Sequence, residues 1–252
     1  SLTFAIPDHP WVDAGDGAAV RIAMTVAEQG RAPGRLLTVT EEAKGDYEAE
    51  GQPVRFQIEK GRIFADLRIG ADVAGAVPLK ANEGLASRGV ALHGGGFLVS
   101  KEEAANLGLG KLTGLDDHIL PYLNGRDVTA TSRALYVIDL FPMKQAEVLT
   151  RFPAVYQLIF DNVKPERDLN REPFRKENWH WFGRTNEVYR RAVKGLTRFI
   201  VTVETSKFRT FQFIDGSTRA DNKLVAIGLD KAEHFAVLSS RLHEVWSLAA
   251  GS

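Results

Sequence analysis

The apolar residues of this chain fall in short runs separated by glycine, proline and polar stretches, and that punctuation predicts many short elements. Residues 20–26 (VRIAMTV) and 36–40 (LLTVT) read as strands on either side of the Gly- and Pro-bearing stretch 29–34. Residues 53–58 and 62–67 predict two further short strands joined as a hairpin at Lys60-Gly61. The acidic stretch 41–50 predicts a solvated turn, and 71–78, poor in large apolar side chains, predicts a linker. Beyond it the pattern alternates. Residues 134–140 (ALYVIDL) read as a buried strand, and Pro153 opens a helix through Val163. Thr185 or Asn186 caps a helix that Gly195 closes. Runs at 199–203, 208–214 and 223–228 are strand-like. Ser100-Lys101-Glu102-Glu103 and Asp230-Lys231-Ala232-Glu233 both have capping-box spacing, the second opening a helix to about Leu248. Asn124-Gly125 signals a turn, and residues 164–184 show no period and predict a long loop. The sum is an α+β chain, with mixed or antiparallel sheets flanked by helices and a β-rich N-terminal part.

Several functions are excluded at once. With no cysteine among 252 residues there are no disulfides, thiolate nucleophiles or Cys-based metal sites. No apolar run approaches the roughly 20 residues of a membrane span, and Ser1-Leu2-Thr3-Phe4 lacks a basic leader, so a cytoplasmic protein is expected. The six histidines (His9, His93, His118, His180, His234, His243) include no pair at i, i+4 spacing, so no metal site is expected. His93-Gly94-Gly95-Gly96 lacks the rest of a phosphate loop and reads as a tight turn. Pro7-Asp8 with Glu42-Ala43-Lys44 has the letters of a metal-dependent nuclease, whose carboxylates hold Mg²⁺ while the lysine steadies the attacking water.

Charge is balanced overall but displaced along the chain. Residues 1–120 carry a net charge of −5 and 121–252 a net of +5, with 12 basic against 6 acidic side chains in 164–209. Aromatics are interleaved there. Cations suit phosphates, and flat rings and forked donors suit bases; a solvated helix face over core aromatics gives the same composition. The candidate DNA-binding set is Arg175, Lys176, Asn178, Trp179, His180, Arg184, Lys207 and Arg209. Lys207, Arg209, Arg184 and Lys176 are assigned to the backbone, and Asn178, Trp179, His180 and Arg175 to bases.

Several runs, taken jointly and in order, resemble a known family. Residues 4–11 (FAIPDHPW) with Gly17-Ala18-Ala19-Val20 resemble the late catalytic-domain segment of large adenine-specific DNA methyltransferases, among them the single-chain restriction–modification enzymes of type IIG and IIL. Residues 79–84 (LKANEG), 93–97 (HGGGF), 121–127 (PYLNGRD), 164–168 (KPERD) and 205–209 (TSKFR) resemble their target-recognition region, and 238–246 (LSSRLHEVW) its closing helix. The resemblance implies a tail of the catalytic domain over residues 1–75 and a target-recognition domain over 76–252. It implies double-stranded DNA as partner and an S-adenosylmethionine-dependent parent enzyme that methylates adenine N6. The Asn-Pro-Pro-aromatic motif and the glycine-bearing cofactor loop of that family do not occur in this sequence. The expectation is therefore a fragment with no catalytic residue and no cofactor of its own, both motifs belonging to a catalytic domain ahead of Ser1. Two rivals remain at this point: an interaction module that docks a protein through exposed aromatics, and the nuclease.

Overall fold

A computed structural model of the chain describes residues 1–11, 20–42, 54–73, 75–206 and 208–250. The chain divides into two compact units, Ser1–Pro78 with Ser247–Ser252, and Leu79–Trp246. The fold is α+β.

The first unit is a four-stranded sheet of β1 (Leu2–Trp11), β2 (Val20–Ala27), β3 (Gly34–Glu42) and β4 (Val54–Gly61), in the order β2-β1-β3-β4. β1 pairs antiparallel with β2 and parallel with β3, and β3 pairs antiparallel with β4 from Gly34↔Gly61 to Glu42↔Val54. The β1–β2 register shifts between Ile6 and His9, where Pro7 has no N–H to give the ladder. The expected hairpin at Lys60-Gly61 does not form. Both residues lie inside β4, whose partner is β3, and Ile63 makes only isolated bridges to Leu2 and Ile69. Pairing with β3 prevails because it buries Leu36 beside Ala5 and Ile63.

The second unit begins with β5 (Ala86–Arg88), β6 (Leu98–Val99), α1 (Lys101–Asn106), β7 (Ile119–Leu123), α2 (Gly125–Thr129) and β8 (Tyr136–Ile138). Five helices follow: α3 (Gln145–Arg151), α4 (Pro153–Asn162), α5 (Lys164–Asp168), α6 (Pro173–Glu177) and α7 (Glu187–Val193). The chain then forms β9 (Arg198–Val203), β10 (Phe211–Asp215), β11 (Arg219–Ala220), β12 (Leu224–Ile227), α8 (Ala232–Leu238) and α9 (Arg241–Ala250), of which the second unit takes the residues up to Trp246. One sheet runs β10-β9-β12-β5, antiparallel throughout. The other runs β11-β7-β8-β6, with β11 parallel to β7. Phe97, Phe152, Tyr189 and Phe199 lie fully inside the core, and α8 and α9 are carried onto β10 by Phe235, stacked on Phe213, and His243, edge-on to Phe211.

Local chemistry explains the boundaries. The Ser100 box forms as expected: Glu103 N–H donates to Ser100 Oγ at 3.1 Å, and Ser100 N–H to Glu103 Oε2 at 2.7 Å. At the turn signalled by Asn124-Gly125, Asn124 caps α2, its Oδ1 accepting from the N–H groups of Arg126 and Asp127. The box expected at Asp230 fails because α8 starts one residue later, leaving Lys231 at the cap with no side-chain bond. The single long helix expected there is two, since Ser240 Oγ accepts from His243 N–H and starts α9. Residues 164–184 are not a long loop. Pro165 and Pro173 each sit in the first turn of a short helix, too brief for a period to show.

Candidate nucleic-acid interface

The surface of interest is built where β5 ends. Asn186, in the left-handed region at φ 49°, caps α7 through Oδ1, which accepts from Tyr189 N–H at 3.2 Å. Its Nδ2 donates to the carbonyls of Arg88 at 2.6 Å and Gly89 at 3.2 Å, tying α7 to β5. Gly89 has to be glycine: a Cβ there would stand 1.9 Å from Ala220 O. Arg184 exchanges two backbone hydrogen bonds with Ala91, so its side chain projects from fixed backbone.

Two grooves meet at Arg184. One, of about 420 Å³, is lined by Arg88, His93, Arg184, Asn186 and Asn222, among others. The other, of about 380 Å³, is lined by Phe174, Phe182, Gly183, Arg184, Thr185 and Asn186. The His93 ring rests on Gly183, where any Cβ would come within 2.4 Å of it. Burial, together with the positive charges of Arg175, Arg167 and Arg184, holds the His93 pKa below the usual histidine range, Glu172 opposing. Beneath, the buried Arg167 donates through Nη2 to Leu92 O at 2.8 Å and lies 5.9 Å from the Phe97 ring.

A third groove, of about 520 Å³, is lined by Arg126, Thr129, Thr205, Ser206 and Lys223, with Gly125 and Val203. Glu204 joins it to the first: the carboxylate pairs with Arg88 and, at 3.5 Å, with Lys223. Asp221 fixes this edge by accepting from Tyr122 Oη at 2.6 Å and from Lys223 N–H at 2.9 Å. Burial and the Asp221 carboxylate push the Tyr122 pKa up, which keeps it a donor. The exposed cations Arg88, Arg126, Arg184 and Lys223 thus stand around joined grooves, with Glu204 bridging Arg88 and Lys223.

The predicted residues are distributed unevenly around this surface. Arg184 stands where two grooves meet, and Lys176 is exposed on α6. Arg175 is half-buried, its Nε 3.0 Å from Glu172 Oε2 at an angle outside hydrogen-bond geometry. Asn178 ends α6, its Nδ2 donating to Phe174 O at 3.0 Å. Arg209 Nη1 donates to Val203 O at 3.2 Å. Lys207 lies outside the described residues. Trp179 and His180 are each 2% exposed. Trp179 meets Tyr156 and Phe160 edge-on, and His180 Nε2 bonds Met143 O at 2.9 Å. Both serve the core, so their rings are closed to any base. Arg88, Arg126, Asn222 and Lys223 escape a reading of the sequence because they lie outside the basic block and arrive by sheet pairing. The nuclease letters also come together, around Arg21: its Nε is 2.5 Å from Asp8 Oδ1 and its Nη2 2.7 Å from Glu42 Oε1. An arginine therefore takes the place between the carboxylates where a nuclease holds its metal, Lys44 lies outside the described residues, and no metal-ligating cluster occurs among those described.

Neither a family model nor a curated protein matches the chain. A solved structure reported as the type IIL restriction-modification enzyme MmeI in complex with DNA is similar to it, with a TM-score of 0.63 and 18% identity over 97% of this chain and 32% of that one. The two share a fold. The chain spans about a third of the length of the MmeI chain it matches. No helix among the described residues is long and apolar enough to cross a membrane.

Proposed function

We propose that this chain recognises double-stranded DNA within an S-adenosylmethionine-dependent adenine-N6 DNA methyltransferase of the restriction–modification kind. The observation that carries this reading is the set of exposed cations, Arg88, Arg126, Arg184 and Lys223, around joined grooves with backbone-fixed walls. Phosphate contacts set register and orientation, and side chains within the grooves read base edges. By their chemistry Lys176, Lys207 and Arg209 are assigned to phosphates, and Asn178 and Arg175 to bases. The shared fold with a DNA-bound enzyme and the family resemblance of the sequence support the same reading. The methyl donor belongs, in this reading, to the parent enzyme and not to this chain's residues, and no step of methyl transfer is assigned to them.

The test is duplex binding against salt. Affinity should fall steeply with ionic strength, and the Arg88→Ala, Arg184→Ala protein should lose about two from the slope of log K against log salt. An unchanged slope removes both arginines from the phosphate set. A second reading, a protein-docking module, is favoured by the exposed Leu242, Val245 and Trp246 on one face of α9. It predicts binding to a protein partner that salt barely alters.

A further inference from the structure

We propose that the two grooves meeting at Arg184 seat one unstacked nucleotide of a DNA strand, its base laid on the Phe174 ring and its phosphate held among Arg88, His93 and Arg184. This rests on the DNA-binding reading above and gives that surface a specific ligand.

Phe174 is 63% exposed on α6. One flank leans on Trp181, ring centroids 6.4 Å apart, and the chain behind it is pinned by Asn178 Nδ2 on the Phe174 carbonyl. An aromatic ring held from behind and bare in front is a stacking platform, and every base has a π-face to offer it. Base pairs inside an intact duplex already have both faces stacked. The platform is therefore useful only to a base out of the helix.

The groove across Arg184 has the opposite chemistry. Arg88 and Arg184 line it, with Asn222 and His93 as hydrogen-bonding groups. The charges facing His93 are Arg167, Arg175 and Arg184, with Glu172 the carboxylate opposing them, and Arg88 lines the same groove. That excess of positive charge around a polar groove is complementary to a phosphodiester. Arg88 is held by Glu204 and can exchange that carboxylate for a phosphate. The grooves, of about 380 and 420 Å³, each fall in the size range of small-ligand sites, and they share Arg184 and Asn186. An apolar ring on one side and a cationic, polar groove on the other suit the base and the phosphate of one nucleotide.

The experiment measures binding of the whole chain to two DNA duplexes, one fully paired and one identical but for a single bulged nucleotide. The wild-type chain should bind the bulged duplex about tenfold more tightly, the order expected for one base–aromatic stack. Phe174→Ala should bring that ratio to about one, and Phe174→Trp should restore it. Arg184→Ala should weaken binding to both duplexes. Circular dichroism of Phe174→Ala should match wild type, because the ring is exposed. A wild-type ratio of one, or a ratio unchanged by Phe174→Ala, overturns the seat while leaving duplex recognition standing. Absence of binding to either duplex at low salt overturns duplex recognition itself.

Discussion

The two units solve the problem of stability differently. Among the described residues of Ser1–Pro78 the core is Ala5, Leu36 and Ile63, with Leu2, Leu67 and Ile69 packed against it. The core of Leu79–Trp246 gathers 29 buried apolar residues and encloses charge as well. Asp139, 2% exposed, accepts two bonds from Arg190 at 2.8 Å and one from Arg219 at 2.7 Å. Burial works against its ionisation, yet the arginines hold its pKa below the usual carboxylate range. In the first unit the ion pairs of Arg21 with Asp8 and Glu42 lie on the surface. A sheet with a thin core is held by its ladder, whereas a dense core can fix polar side chains within a few tenths of an ångström. The candidate interface lies on the second unit, where groove walls are backed by buried side chains and paired backbone.

The comparison predicts a graded series. Asp139→Ala leaves two arginines without their buried partner and should destabilise the second unit by about 3–5 kcal/mol in denaturant unfolding; a loss under 1 kcal/mol would mean that water already reaches the triad. Acid should act next. The hydrogen bonds from Arg133 hold the Asp127 pKa down to about 2. A carboxylate whose pKa is lower folded than unfolded stabilises the fold above about pH 4, and that contribution of about 2 kcal/mol should disappear as pH falls toward 2. Asp127→Asn should flatten this part of the stability–pH curve. Asn186→Ala removes a cap and the tie to β5 and should cost about 1 kcal/mol, with Asn186→Gly milder because glycine accepts the same φ. A larger loss of duplex affinity than of stability in Asn186→Ala would show that the tie positions Arg88. The smallest effect belongs to the first unit: Arg21→Ala should leave the unfolding midpoint unchanged within error, because exposed pairs contribute little. Amides of β1 to β4 should also exchange with solvent at lower free energies than those of β9.

Much of the molecule was legible in the residues. Local chemistry located the Ser100 box, the Pro153 helix, the Asn186 cap and the strands at 20–26, 36–40, 199–203 and 223–228, since caps and alternation act over three or four residues. Pairing was not legible. That β4 seeks β3, or that β5 completes the sheet of β9 and β12, depends on burial summed across distant segments. The site divides the same way. The concentration of cations and aromatics in 164–209, with Arg184 among them, is a property of the residue order alone. Which of them face water is settled by packing. Trp179 went inward because its indole beside Tyr156 and Phe160 buries more apolar surface there than on the outside, and His180 followed it, held by the Met143 carbonyl between Trp179 and Trp181. Arg88 and Asn222 came to stand in a groove with Arg184, and Lys223 in the neighbouring one with Arg126, through hydrogen bonds made across about a hundred residues, a distance over which no local pattern reaches.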